Sequence, residues 1–404
     1  MSDIVGPIAP PIASSYVGLY ALTDCGNAER FVDQHGDCIR FCSSKREWFV
    51  WNGAKWAADE GAAVQLAKKS VRAMRVERKQ ILSQAEYEGS DWDVARRKAD
   101  ALAKWANRSE SAFRIAASLR LAQSDPRIRV GSEEFDRDPW LLNLRNGSID
   151  LRSGKFREHR PGELFTKVAG AQYESRAGCP RWEKFLQQVF QPCLDIIPYL
   201  QKAIGYTLTG ETCEECVFVL VGVGRNGKST LIGTIHELLG EFGGVAEMDT
   251  FLTAGATRLR EDVADMRDRR FVSSQEPFIN SRFAEATLKW VSGGDRLRAR
   301  RLYEHAQEFQ PTHKLWLAMN RLPALRSDDE ATWSRLRVIP FDVSFAEGGN
   351  RHLKFDLRSE VNGILNWALE GCLLWQRYGL QSAESVDEAT RHCRSGARGG
   401  HDAA

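Results

Sequence analysis

The run Gly222-Val-Gly224-Arg-Asn226-Gly227-Lys228-Ser229-Thr230 constrains this chain more than any other part of it. It follows Val217-Phe-Val-Leu-Val221, a short, wholly apolar stretch that fits a strand buried on both faces of a parallel sheet. Residues 231–239 continue as a helix and stop at Gly240. Strand, glycine loop and helix therefore stand in the order of the P-loop pattern. A triphosphate has to be wrapped by backbone N–H groups, which demands glycines, and its charge sits well at a helix N-terminus. Gly222, Gly224, Asn226 and Gly227 are expected to form that wrap. Lys228 is expected to reach the β and γ phosphates, and Ser229, followed by Thr230, to hold Mg²⁺. The loop predicts an α/β fold, but it does not separate a kinase, a switch NTPase and a motor.

At 404 residues the chain is expected to house two or three domains. No apolar run is long enough to span a bilayer, so no membrane association is expected. The first 18 residues read as a disordered tail without the basic and apolar regions of a signal peptide, which makes the cytoplasm the default location. Nine scattered cysteines argue for free thiols, and Cys213-x-x-Cys216 has no second pair at zinc spacing to complete a site. The net charge of +2 supports no argument from overall basicity; only local clusters point to nucleic acid.

Along the chain, Trp48-Phe-Val-Trp51-Asn52-Gly53-Ala-Lys-Trp56 reads as two aromatic strands around a tight Asn-Gly turn. Its tryptophans suit either a small core or the stacking of bases, with the core favoured. Residues 61–123 read as helical with a break at Glu88-Gly89-Ser90, and Arg96, Arg97, Lys98, Lys104, Arg108, Arg114 and Arg120 stud the second helix. A solvated face is favoured there over a nucleic-acid surface. From Trp140 to Phe156 two turn signals, at Asn146-Gly147 and Ser153-Gly154, separate three short strands expected to close the N-terminal domain.

After the loop, Arg270-Phe-Val-Ser-Ser-Gln275-Glu276 is a strand-like run ending on a carboxylate, where a strand beside the loop strand would place a Mg²⁺-binding or water-polarising acid. Gly293-Gly294-Asp295-Arg-Leu-Arg298-Ala-Arg300-Arg301-Leu-Tyr303-Glu-His305 reads as a glycine turn and a basic alternating strand leading into a hairpin. Lys314-Leu-Trp-Leu-Ala-Met-Asn320 is an apolar strand closing on an amide able to hydrogen-bond both a γ-phosphate and the attacking water. Trp333-Ser-Arg335-Leu-Arg337-Val-Ile-Pro-Phe341 places two arginines at the mouth of one more apolar run.

Taken with GVGRNGKST, VSGGDRLRARRLYEHAQEFQPTHKLWLAMN and WSRLRVIPF, this order resembles the superfamily 3 helicases, in the wording of the phage and plasmid primase–helicase family. YALTDCGNAERFVDQHGDCIRF and WLLNLRNGSIDLRSGKFREH resemble that family's N-terminal associated region, and GILNWALEGCLLW its segment after the motor, so about residues 19–380 are covered. The resemblance implies an AAA+-like motor at 176–345, a smaller mixed α+β domain at 19–175 before it and a helical segment at 346–385 after it. It implies ATP-driven, 3′ to 5′ DNA unwinding by a homo-hexamer threading a single strand through a central pore, with a separate primase as a further partner. In site terms it implies ATP on residues 222–230, Mg²⁺ at Ser229 and Glu276, and catalytic roles for Lys228, Glu276, the sensor Asn320 and the arginine finger Arg335, with Arg337 as the fallback. Arg298, Arg300, Arg301, Tyr303 and His305 would contact DNA.

The sequence departs from that family at three places. Gln275 precedes a single acid where many members carry a pair, no primase precedes residue 19, and residues 386–404 read as a disordered or truncated tail. A remnant that binds DNA or a replication partner without catalysis is the competing reading. The charges of Arg298, Arg300 and Arg301 would in that case only guard a sheet edge.

Overall fold

The computed structural model describes residues 20–253, 259–275, 282–300, 307–325, 329–345, 350 and 352–399. The chain divides into two compact units, one running to Arg137 and taking in Arg160–Thr166, the other holding Asp138–His159 and everything from Lys167 on.

The first unit contains α1 (Asp24–His35), β1 (Ile39–Cys42), β2 (Glu47–Trp51), β3 (Trp56–Ala58), α2 (Glu60–Glu88), α3 (Trp92–Ser109), α4 (Ala112–Ala122) and β4 (Arg129–Val130). Its sheet runs β3-β2-β1-β4. Gly53 takes a φ of +98° in the β2–β3 turn, where the Asn52 side chain accepts the amides of Ala54 and Lys55. Trp48, Trp51 and Trp56 are all buried, so they build this core and do not stack on bases. Helix α2 stops at Gly89, whose φ of +62° suits a left-handed cap. Ala95, Ala99, Leu102 and Ala106 bury one face of α3, leaving Arg96, Arg97, Lys98, Lys104 and Arg108 exposed. Arg114 and Arg120 stand on a different helix from these, because Ser111 caps a new one by accepting the amide of Arg114.

The second unit opens with an antiparallel meander of β5 (Leu141–Leu144), β6 (Gly147–Asp150) and β7 (Lys155–Arg157). The three strands and both turns are as expected, but the meander does not close the N-terminal domain. Leu142, Leu144, Ile149 and Leu151 are buried in one cluster with residues of α5 (Pro180–Val189), α6 (Ile196–Leu208) and α12 (Val361–Tyr378), so their core is that of the second unit.

The chain then passes through β8 (Val217–Val221), α7 (Lys228–Leu239), β9 (Gly243–Val245), α8 (Leu259–Asp265), β10 (Phe271–Gln275), α9 (Glu285–Ser292), β11 (Leu297–Ala299), β12 (Gln307–Phe309), β13 (Lys314–Met319), α10 (Glu330–Trp333), β14 (Leu336–Pro340) and α11 (Leu353–Ser359) before α12. Five of these strands form a sheet in the order β14-β8-β13-β10-β9, with every pairing parallel. β8 and β13 are the apolar runs that the sequence marks, buried on both faces. One expectation is corrected: the acid-bearing strand β10 is not beside β8, because β13 lies between them.

A further correction concerns residues 386–399 of the expected tail, 400–404 lying outside the described residues. Glu384–Gly399 form helix α13, not a disordered tail. Val386 is buried in the main core, and the Thr390 hydroxyl accepts the Val338 amide at 3.2 Å, satisfying a donor on the edge strand β14. Thr390→Val should lower stability by about 1 kcal/mol, the usual worth of one such hydrogen bond, read as a lower urea midpoint. An unchanged midpoint would mean that α13 does not sit on β14 in solution.

Candidate phosphate-binding loop and its surroundings

Three observations fix the loop at residues 222–227. Gly222 leaves β8 with its amide on Met319 O (3.3 Å), and a Cβ there would lie 2.2 Å from Phe341 O, so only glycine fits. Asn226 is buried and donates through Nδ2 to the same carbonyl at 2.9 Å. Gly227 turns the chain into α7 with a φ of +95°, a conformation that side chains resist. The helix's backbone bonding begins with Thr230 and Leu231, both donating to Gly227 O, which leaves the first-turn amides as the free donors of a helix N-terminus. Ser229 is exposed in that turn.

Lys228 lies over the loop. Its Nζ donates to Gly222 O and, at 2.9 Å, to Asn226 Oδ1. The residue is buried, which pushes its pKa down, and among the described residues it forms no ion pair. A buried ammonium held by two neutral oxygens, next to free helix amides, is an arrangement that an anion completes. The donor set therefore fits a polyphosphate, and the exposed hydroxyl of Ser229 fits a Mg²⁺ travelling with it. Alongside opens a cavity of about 620 Å³ lined by Gly227, Thr230, Arg225, Phe185, Phe345 and Asp356 among others.

Sheet register decides what else comes near. Met319 pairs with Val221, so Asn320, exposed just beyond β13, emerges beside Gly222. Gln275 pairs with Ala318 at the same end of the sheet. Glu276 lies outside the described residues, as do Arg301, Tyr303 and His305. On either side of these last three, β11 and β12 pair antiparallel, Leu297 with Phe309 and Arg298 with Glu308. Leu297 and Ala299 are buried while Arg298 and Arg300 are exposed. The same alternation exposes Arg296, a further cation of this face beyond those expected to contact DNA, signalled by the Arg-x-Arg-x-Arg spacing.

Arg335 and Arg337 stand away from the loop. β14 pairs with β8 from Leu336 on Val217, and Arg335 O accepts the Val217 amide at 2.9 Å, so both arginines sit toward the start of β8 and the loop at its end. Five strand residues separate the two ends by roughly 16 Å. Arg335 donates to Glu215 Oε2 (2.7 Å) and Ala331 O (2.8 Å); Arg337 turns back onto Ser334 O (2.6 Å) and Leu336 O (3.2 Å). Glu215 was not legible in the sequence, since 120 positions separate it from its partner. Cys213 is exposed and Cys216 buried, both as free thiols, and burial pushes Cys216 up to about 12, which makes it inert. Among the described residues no cluster of three or more His, Cys, Asp or Glu could hold a metal, and no helix is long and apolar enough to cross a membrane.

Fold and loop together define a mixed α/β protein with a parallel sheet and a strand–loop–helix turn suited to an anion. Residues 28–191 match the family described as D5 N terminal like, and residues 220–335 match a family of unknown function, DUF5906. Among relatives, the chain is 31% identical over 219 residues to "Putative helicase L207/L206" of Acanthamoeba polyphaga mimivirus, covering 52% of this chain and 22% of that protein. It is 26% identical over 231 residues to "Putative helicase 121R" of Invertebrate iridescent virus 3, covering 53% and 24%. To "Putative primase C962R" of African swine fever virus (isolate Tick/Malawi/Lil 20-1/1983) it is 23% identical over 267 residues, covering 62% and 27%. The match thus spans about a quarter of the length of each of these three relatives. In fold the chain is similar to the apo structure of the NrS-1 C terminal region (305-718), with a TM-score of 0.54 at 10% identity over 89% of this chain and 71% of that one. The two matched regions and the relatives' names bear out the resemblance to the primase–helicase family that the sequence motifs carry.

Proposed function

We propose that the chain is the motor part of a replicative DNA helicase, an AAA+-like P-loop ATPase that translocates on DNA as a homo-hexamer with 3′ to 5′ polarity. The observation that carries this reading is the placement of cations at the two ends of β8: Lys228 sits over the loop that follows its last residue, and Arg335 is held beside its first, out of reach of its own loop. An arginine so placed serves a nucleotide only across a subunit interface, which a ring supplies. The viral relatives named helicase or primase support the same reading.

In this reading ATP with Mg²⁺ supplies the phosphoryl group whose transfer to water drives movement. Residues 222–230 wrap its phosphates, with Ser229 and Glu276 toward the metal, Asn320 toward the attacking water and Lys228 on the phosphate charge. The purified chain should show ATPase activity stimulated by single-stranded DNA and should displace a strand from a fork with a 3′ tail but not from one with a 5′ tail. DNA binding without any ATPase would favour the non-catalytic remnant, and ATPase indifferent to DNA a P-loop enzyme of another kind.

The exposed arginines on and beside β11 belong to the DNA side of this proposal, with Arg301, Tyr303 and His305 further along the same segment and a single strand in the central pore as the partner. Arg298→Ala with Arg300→Ala should weaken single-strand binding and reduce the slope of log affinity against log salt by about 0.7 for each phosphate left without its arginine. Titrations at several salt concentrations check this. An unchanged slope in a folded variant means that these side chains only guard the edge of the hairpin.

A further inference from the structure

We propose that Glu215 is a positioning residue for Arg335, holding its guanidinium in the pose that serves the neighbouring subunit's nucleotide. The inference rests on the trans role given to Arg335 above. Glu215 lies in the turn between α6 and β8, with its amide on Thr212 O (3.1 Å) and a φ of +42°, the left-handed region that a glutamate rarely adopts. Glu214, just before it, is committed elsewhere: its Oε1 accepts Trp375 Nε1 at 2.7 Å and the Leu380 amide at 3.3 Å. The first carboxylate thus anchors the turn to α12, and the strained backbone turns the second one onto Arg335 Nη2 at 2.7 Å.

Arg335 is gripped at three points. Nη1 donates to Ala331 O, Nη2 donates to Glu215, and the backbone carbonyl accepts from Val217 at the start of β8. Its Nε is buried without a hydrogen-bond partner among the described residues. The pair is partly solvated, with the Arg335 side chain 24% exposed and that of Glu215 49%, and ion pairs this open contribute little to folding. What such a pairing does is select one direction for a long side chain that has many rotamers. Arg337 has no equivalent, since it donates to the carbonyls of its own segment. The carboxylate therefore singles out Arg335 as the arginine held in a fixed pose.

The test uses the full chain with Glu215→Gln, Glu215→Asp and Arg335→Ala. E215Q should lower kcat for DNA-stimulated ATP hydrolysis by about tenfold, the scale seen when a partner that orients a functional side chain is removed. KM for ATP and the thermal midpoint should stay at the parent values, because the substitution lies at the far end of β8 from its own loop. E215D should keep most of the activity. Mixed rings give a readout that a merely structural role would not produce. E215Q exchanged with Lys228→Ala should recover activity, since the K228A subunit brings an intact Glu215–Arg335 pair to the E215Q loop. E215Q exchanged with R335A should not recover, since both lack a working finger side. An inactive R335A beside an E215Q of parental kcat overturns this inference alone, and so does an E215Q loss that comes with a lowered thermal midpoint and no recovery with K228A. A fully active R335A overturns the trans reading of Arg335 and this inference with it.

Discussion

Lys228→Ala is expected to lower ATP turnover at least about a hundredfold, the size of effect that follows when a fixed charge aimed at a transferring phosphoryl group is removed. The lysine is buried, has among the described residues only the Gly222 carbonyl and the Asn226 amide oxygen as hydrogen-bond acceptors, and is held beside the first-turn amides of α7. Its charge is desolvated by burial, which pushes its pKa down, and in the proposed function an incoming triphosphate would supply the missing negative charge. Removing the ammonium relieves that cost in the free protein, so thermal stability should hold while turnover collapses. Lys228→Arg is not a conservative control, because the planar guanidinium does not fit a slot shaped for a point charge between two oxygens. Steady-state ATPase assays with and without single-stranded DNA, beside a thermal melt, check the expectation. Turnover at the parental level in K228A would remove the basis for reading this chain as an ATP-driven motor.

What could be read from the sequence follows the range of the forces involved. The loop and its two flanking elements were legible because everything that specifies them is local: an apolar β-branched run, glycines where a Cβ would strike Phe341 or strain the backbone, and a helix stopped by Gly240. The β5–β7 meander was legible as strands for the same reason, through its two turns. Its membership in the second unit was not, because the leucines of β5 look the same whichever core buries them. The insertion of β13 between β8 and β10 is likewise a matter of pairing over long separations, which no local pattern encodes. Helix α13 shows a different failure. Val386, Thr390 and Cys393 do recur at helical spacing, but few apolar residues among many charges and small residues hid the stripe that packs on β14 and the core. The pair of Glu215 with Arg335 lay furthest from reach, depending on a φ of +42° and on a register that only the folded sheet sets.

Arg335→Ala should be nearly inactive in ATP hydrolysis, with a loss of about 10³ to 10⁵ where such a finger arginine stabilises charge developing on the γ-phosphoryl. Under the proposed trans role, the loss is a property of the interface and not of the subunit. The Arg335 carbonyl is bonded to the first residue of β8, while Gly222 follows the last, so in the proposed ring each subunit would lend its finger to one neighbour and receive one from the other. R335A alone and K228A alone should therefore both fail, yet a mixture assembled after subunit exchange should regain turnover at interfaces that join an intact loop to an intact finger. Mixed rings confirmed by mass that hydrolyse no faster than the separate variants would refute the trans role. Because strictly sequential firing would also silence a mixed ring, dilute wild-type subunits are titrated into each variant as the control. Turnover that rises in proportion to wild type shows that sites fire independently, and the mixing test is then decisive. If R335A keeps full turnover while Arg337→Ala loses it, the interface mechanism stands with Arg337 in the role; that outcome requires Arg337 to leave the carbonyls of Ser334 and Leu336, which now hold its guanidinium.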